Sequence, residues 1–333
     1  MERNRQLVNP HQDFGWDVST QAHGQTATSS QGVPTACCSA WMLGRLRLCV
    51  GLLSPIWLLG LAGTARGQIQ ILAVVNSASY QVGIPEPGSL ATIFCTGLKG
   101  IAGIVPSSTQ SPLPLQLAGV EVTVNLGSAP LLGVADLGGG MQVINLQVPP
   151  ERLLTQMSTV QVTQNGSSGR ADNVDYPRVG GLFSDGQGNA IALHLADGSI
   201  VTPQNPAQAG EFIAALGTGF GPTYPPKPIG FPAPAAPPFQ GLMDFTEPNT
   251  TYNIDMPAHQ VSLESVVHVS FSGVAAGFTG VDQVIFQVPK GLSPGTHSLI
   301  LATGVISCLA PPLPKPCSFL ARANSNVVKI PVQ

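Results

Sequence analysis

The chain has 333 residues and a net charge of −3, with only 9% charged side chains, against roughly 25% in an ordinary soluble domain. Hydrophobic residues make up 43%, enough for a sizeable core, and the 38 Gly and 31 Pro together stay below the roughly 25–30% of a disordered low-complexity chain. The acidic balance excludes a nucleic-acid or anionic-lipid binder, which needs a basic surface. Few charges, many turn formers and many β-branched residues indicate an all-β protein of extracellular type.

Residues 1–41 are polar, lack periodicity and include Cys37-Cys38. Met42 follows, then Arg45 and Arg47, an apolar run of 15 residues from Leu48 to Ala62, and the small-residue segment ending Ala65-Arg66-Gly67. This is the order of a secretory signal peptide over 42–67, with cleavage near Gly67/Gln68. The apolar run contains Pro55 and falls short of the about 20 residues of a membrane span. Membrane contact is therefore expected only through an uncleaved signal segment, and the protein is expected to be secreted or held in the cell envelope. Met42 is expected to be the true start, with 1–41 a non-native or disordered leader. From Gln68 onward the chain carries nine Lys/Arg and fourteen Asp/Glu, a net charge of −5.

Ala91-Thr92-Ile93-Phe94-Cys95 reads as a buried strand. Val120-Glu121-Val122-Thr123-Val124 and Val160-Gln161-Val162-Thr163 alternate apolar and polar residues, the mark of half-buried strands. Asn165-Gly166 is a hairpin-turn signal, and Asp185-Gly186 and Asp197-Gly198 read as further turns. Pro222–Pro238 reads as a loop. Val267-His268-Val269-Ser270-Phe271 alternates again, which predicts one strand with His268 on its outward face. The tail Asn326–Val332 is rich in valine. No stretch beyond the signal segment keeps a helical period, and short strands with regular turn signals predict β-sandwiches.

Two pairs of segments match one another. Pro87-Gly88-Ser89-Leu90 and the apolar run through Thr96-Gly97-Leu98 parallel Ala209-Gly210-Glu211-Phe212 and the run through Thr218-Gly219-Phe220. Leu146-Gln147-Val148-Pro149 parallels Phe286-Gln287-Val288-Pro289. The order predicts an internal duplication, with one unit over 68–178 and a second over 179–333 that carries a long Pro-rich loop at 222–239. A Gln-Val-Pro strand end has a structural reading: proline removes a ladder donor and the preceding Gln satisfies backbone groups at the edge.

These landmarks also carry a resemblance. Asn76-Ser77-Ala78-Ser79-Tyr80, Pro87-Gly88-Ser89-Leu90, Pro112-Leu113-Pro114, Leu117-Ala118-Gly119-Val120 and Asn145–Pro149 match the first half of a family. Ala209-Gly210, Thr218–Pro222, Gly277-Phe278-Thr279-Gly280 and Gln283–Pro289 match its second. Over about Leu72 to Val332 the chain resembles the uncharacterised C-terminal domain found repeatedly on secreted Solibacter and other acidobacterial proteins. The resemblance implies two tandem Ig-like β-sandwiches of the IPT/TIG sort and brings no catalytic residues with it. This chain is expected to depart from the pattern in lacking a large upstream domain, and departs from it in the long loop holding Cys308 and Cys317.

Three cysteines follow Gln68. Cys308 and Cys317 bracket a proline-rich loop and form the candidate disulfide, worth at most about 2–3 kcal/mol for so short a loop. Cys95 sits in an apolar run and reads as a small buried hydrophobe, the alternative being that it takes one of the other two as partner. Gly217-Thr218-Gly219-Phe220-Gly221 lacks the following helix that a dinucleotide site needs, because Pro222, Pro225 and Pro226 forbid one. Asp185–Asn189 resembles the start of a calcium loop, but its twelfth position is Ala196 in place of a bidentate Glu; a different ligand set stays open. His194, His259, His268 and His297 show no zinc spacing, and there is no Gly-x-Ser-x-Gly elbow. All three tryptophans precede Gln68, which counts against an aromatic sugar platform. Tyr224, Phe231 and Phe239 in the Pro-rich loop are candidate recognition residues; the structural alternative is that they pack the loop onto its own sandwich. No cofactor or metal is expected, and no catalytic residue is assigned. The expectation is a non-enzymatic exported module for adhesion or scaffolding, with an extracellular protein or glycan as partner. The alternatives are a glycan- or peptide-binding module using the Pro-rich loop and, after it, a hydrolase with a scattered triad.

Overall fold

The computed structural model describes residues 68–107, 111–150, 157–176, 180–236, 240–241, 256–263, 265–267, 269–307 and 318–333, and those residues contain strands but no helix. The predicted leader and signal segment, the Cys308–Cys317 loop, Phe239 and His268 lie outside them. Residues 67–333 form one compact unit.

The first half contributes β1 (Gln70–Asn76), β2 (Leu90–Thr96), β3 (Ile104–Pro106), β4 (Gln116–Leu117), β5 (Val120–Val124), β6 (Gly127–Ser128), β7 (Leu131–Gly138), β8 (Met141–Gln147), β9 (Met157–Gln164) and β10 (Ser167–Asp175). They form two antiparallel sheets, ordered β1-β2-β8-β7-β3 and β10-β9-β5-β4, with β6 beside β5. The inner faces meet: Val120, Val122, Val124, Val160 and Val162 of one sheet pack with Ile93, Cys95, Val134, Ile144 and Leu146 of the other. The predicted alternation is what makes this possible, since Glu121 and Thr123 fall on the other face of β5. Asn165 and Gly166 join β9 to β10 as a two-residue loop, both at positive φ, the geometry a right-twisted hairpin requires.

The second half contributes β11 (Gly181–Leu182), β12 (Ala192–His194), β13 (Phe212–Thr218), β14 (Thr223–Tyr224), β15 (Gln240–Gly241), β16 (Met256–Leu263), β17 (Ser265–Val267), β18 (Val269–Val274), β19 (Asp282–Gln287), β20 (Gly295–Ser307), β21 (Ser318–Asn324) and β22 (Val328–Val332). One sheet runs β11-β13-β19-β18-β15-β14, with β12 on β13; the other runs β17-β16-β20-β21, with β22 on β20. Ile213, Ala215, Val284 and Phe286 face Val261, Leu263, Leu299, Leu301 and Ile330 in a second core.

One strand differs from expectation. The alternating stretch Val267–Phe271 is not a single strand: Val267 pairs with Val261 in one sheet, and Val269 pairs with Phe286 in the other. The chain crosses between sheets at this point, so its alternation serves two faces rather than one.

The matched landmarks adopt the same local geometry. Gly88 N–H donates to Val148 O (2.8 Å), Val148 N–H to Ser89 O (2.8 Å), and Gln147 Nε2 to Gly88 O (2.8 Å). In the second half Gly210 N–H donates to Val288 O (2.9 Å), Val288 N–H to Glu211 O (2.8 Å), and Gln287 Nε2 to Gly210 O (2.7 Å). Both glycines sit at positive φ. The glutamine of each Gln-Val-Pro end thus satisfies the carbonyl of a turn glycine that the ladder leaves open.

Candidate functional site

The most elaborate polar arrangement among the described residues lies where the two sandwiches meet. A third apolar cluster joins Ala78, Leu90 and Leu132 of the first to Phe183, Leu216, Ala275 and Phe278 of the second. Around it, Thr218 Oγ1 accepts from Leu90 N–H (2.8 Å) and donates to Gly280 O (2.8 Å). Asn76 Nδ2 donates to Thr218 O (3.3 Å), while its Oδ1 accepts from Ala78 N–H (2.8 Å). The approach is close enough that a Cβ on Gly280 would lie 2.5 Å from the Leu90 side chain.

The Pro-rich loop crosses this seam as a strap. Gln147, beyond its bond to Gly88, donates to Pro228 O (2.9 Å) and accepts from Gly230 N–H (2.7 Å). Leu113 N–H donates to Gly230 O (2.7 Å). On the other side Ala233 N–H donates to Phe278 O (2.9 Å), and Gly277 N–H to Ala233 O (2.8 Å).

Under the strap, Lys227 Nζ lies 2.7 Å from Asp282 Oδ2 and 3.4 Å from Ser89 Oγ, with the two charged side chains 3% and 1% exposed. Phe220 N–H also donates to Asp282 Oδ2 (2.9 Å). Asp282 Oδ1 has no hydrogen bond of its own, although the Gly219 amide also favours the ionised form. Burial pushes the Asp282 carboxyl above the usual carboxylate range, against the opposing pull of Lys227 and the two amides. Removing two ions from water costs several kcal/mol each, so such a pair persists only where its geometry is tight.

Tyr224 and Phe231 are exposed on the strap, 69% and 47% respectively; the burial of the strap is carried by Lys227, Gly230 and Ala233 instead. Residues 217–221 form no dinucleotide loop: Thr218 and Phe220 are held in the seam. Asp185 is occupied by its own turn, accepting from Gln187 N–H, Asn189 N–H and Asn189 Nδ2. No group of three metal-ligating side chains occurs among the described residues. His194 is fixed between Glu211 (3.0 Å) and Asn205 O (3.2 Å). Cys95 is a buried free thiol, pushed up to about 11 by burial, which makes it a core side chain and a poor nucleophile. Sequence reasoning missed Lys227 and Asp282. A lysine inside Pro225-Pro226-Lys227-Pro228, in a chain so poor in charge, was the signal to find it.

No protein-family model matches the sequence, and no curated protein matches it. Among solved structures it is similar to the tandem Ig repeats of Dlar, at 10% identity over 80% of this chain and 98% of that one (TM-score 0.18). It is also similar to the SGBP-B protein of a Bacteroides ovatus mixed-linkage glucan utilization locus, solved with a mixed-linkage heptasaccharide, at 8% identity over 82% of this chain (TM-score 0.24). This chain spans 62% of the length of that structure. A putative membrane anchored protein from Corynebacterium diphtheriae matches at 14% identity over 79% of this chain and 57% of its own (TM-score 0.20). What the chain itself establishes is an all-β fold of antiparallel sheets stacked about two cores.

Proposed function

We propose that the chain is an exported, non-enzymatic pair of Ig-like sandwiches, derived by internal duplication, that acts in adhesion or scaffolding outside the cell. One observation carries this reading: the first copy of the recurring motif, together with Thr218 from the second, fastens one sandwich to the other. Gly88, Ser89, Leu90, Gln147, Thr218 and Gly280 all bond or pack at the seam. A joint closed by an apolar cluster, a strap and a buried ion pair holds two surfaces in fixed relation, which is what a spacer or scaffold needs. The duplication is supported by the shared bonding of Gly88/Gln147 and Gly210/Gln287. Export and membership of the acidobacterial domain family rest on the signal-like segment and the sequence landmarks.

The test is adhesion by cells that produce the full chain, after N-terminal mass spectrometry of envelope and medium fractions. An end near Gln68 outside the cytoplasm, with adhesion lost on gene deletion, is the expected result. An intact N-terminus in the cytoplasm, or labelling of one serine by a fluorophosphonate probe, overturns the reading.

A second reading has the strap as a glycan- or peptide-binding edge, favoured by the exposure of Tyr224 and Phe231. It expects glycan-array or peptide-array binding that disappears in Tyr224→Ala/Phe231→Ala while the fold persists.

A further inference from the structure

The buried pair under the strap brings together the parts of an amide-forming site. Lys227 supplies a primary amine 2.7 Å from a carboxylate oxygen of Asp282. Water is excluded from both. The Phe220 amide donates to the carboxyl oxygen on which negative charge would gather during addition (2.9 Å), and the Gly219 amide dipole adds to it. Ser89 Oγ, itself buried, stands 3.4 Å from the amine as a proton carrier. Asp282 Oδ1 has no hydrogen bond to hold it in the ionised state. The dry surroundings favour neutral species over separated charges.

We propose that Lys227 and Asp282 join covalently as an isopeptide bond between Lys227 Nζ and Asp282 Cγ. A proton passes from the ammonium to the carboxylate within the pair and settles on Oδ1, the oxygen with no hydrogen bond, leaving a neutral amine, a neutral acid, and Oδ2 as the carbonyl oxygen that faces the Phe220 amide. The Nζ lone pair then adds to Cγ, with the oxyanion held by the Phe220 amide. Ser89 relays a second proton from Nζ to the departing hydroxyl. One C–N bond forms, one C–O bond breaks, one water leaves, and no oxidant or reductant takes part. The product is a charge-free crosslink from the strap to the start of β19, 55 residues apart in sequence. The bond is independent of the adhesion reading.

Intact mass spectrometry of the full chain, folded and then denatured, decides it. The expected mass is one water below that calculated from the protein's own N-terminus, and digestion yields a branched peptide joining Lys227 to Asp282. Lys227→Arg has the full mass; Asp282→Asn condenses with loss of ammonia instead of water. A wild-type chain of full mass with linear Lys227 and Asp282 peptides overturns the proposal, as does a lost water mapped to any other residue. The wild-type result stands even if neither variant folds, and it leaves the adhesion experiment unaffected.

Discussion

Gly88 with Gln147, and Gly210 with Gln287, make the same three local hydrogen bonds, yet they serve different ends of the molecule. The first set is shut inside the seam: Gln147 is fully buried and also holds Pro228 and Gly230, and a Cβ on Gly88 would lie 2.7 Å from the Lys227 side chain. The second set faces outward, Gln287 is only half-buried, and the nearest side chain to Gly210 is the flexible Lys290. A motif that closes a turn in one sandwich has become a docking point in the other, through what the rest of the chain lays against it. The motif fixes backbone geometry; its neighbours decide what that geometry is for.

The widest separation between the two ends is expected at the charges. Asp282→Ala leaves the Lys227 ammonium buried with no counter-ion, whether the wild-type pair is ionic or joined, and should cost at least about 3–5 kcal/mol in urea unfolding. Glu211→Ala, at the outward turn, removes a partly exposed partner of His194 and should cost about 1 kcal/mol or less. Equal losses would mean the seam is not the special region. Next comes the glutamine pair. Gln147→Ala strands Gly88 O, Pro228 O and Gly230 N–H and should cost about 3 kcal/mol, against about 1 kcal/mol for Gln287→Ala. The glycines should follow in the same order. Both Ala variants incur the positive-φ penalty of about 1–2 kcal/mol, but Gly88→Ala must also displace Lys227, so its melting point should fall further than that of Gly210→Ala.

The smallest effect belongs to the solvent. Hydrogen bonds from the Ser199 amide and hydroxyl hold the exposed Asp197 carboxyl below its ordinary value. Its contribution is therefore present above the unfolded carboxylate value and lost as pH falls through the lowered folded one. Asp197→Asn should remove that acid-side dependence from a pH series of unfolding curves, leaving any larger acid sensitivity to the rest of the protein.

Much of this was readable in the chain. Val120–Val124 and Val160–Thr163 announce their inner faces by alternation, Asn165-Gly166 announces its hairpin, and Gln-Val-Pro announces a strand end. These signals are local, set by residues within a few positions. The seam was not readable, because Leu90 meets Thr218 across 128 residues and Lys227 meets Ser89 across 138. No period in the sequence encodes such distances. The crossing between Val267 and Val269 was hidden for a related reason: alternation states which residues are inward, not which sheet they join.

The strap has a consequence for the order of synthesis. The first sandwich is complete when β10 ends at Asp175, but Gln147 still lacks Pro228 and Gly230, and Leu90 N–H still lacks Thr218. A growing chain therefore carries a finished domain with one raw edge, where Ala78 and Leu90 wait for Phe183 and Leu216. Ser89 waits longer for Lys227, and Lys227 for Asp282. The seam is assembled from partners that arrive in sequence, and its last charge is neutralised only after β19 has begun.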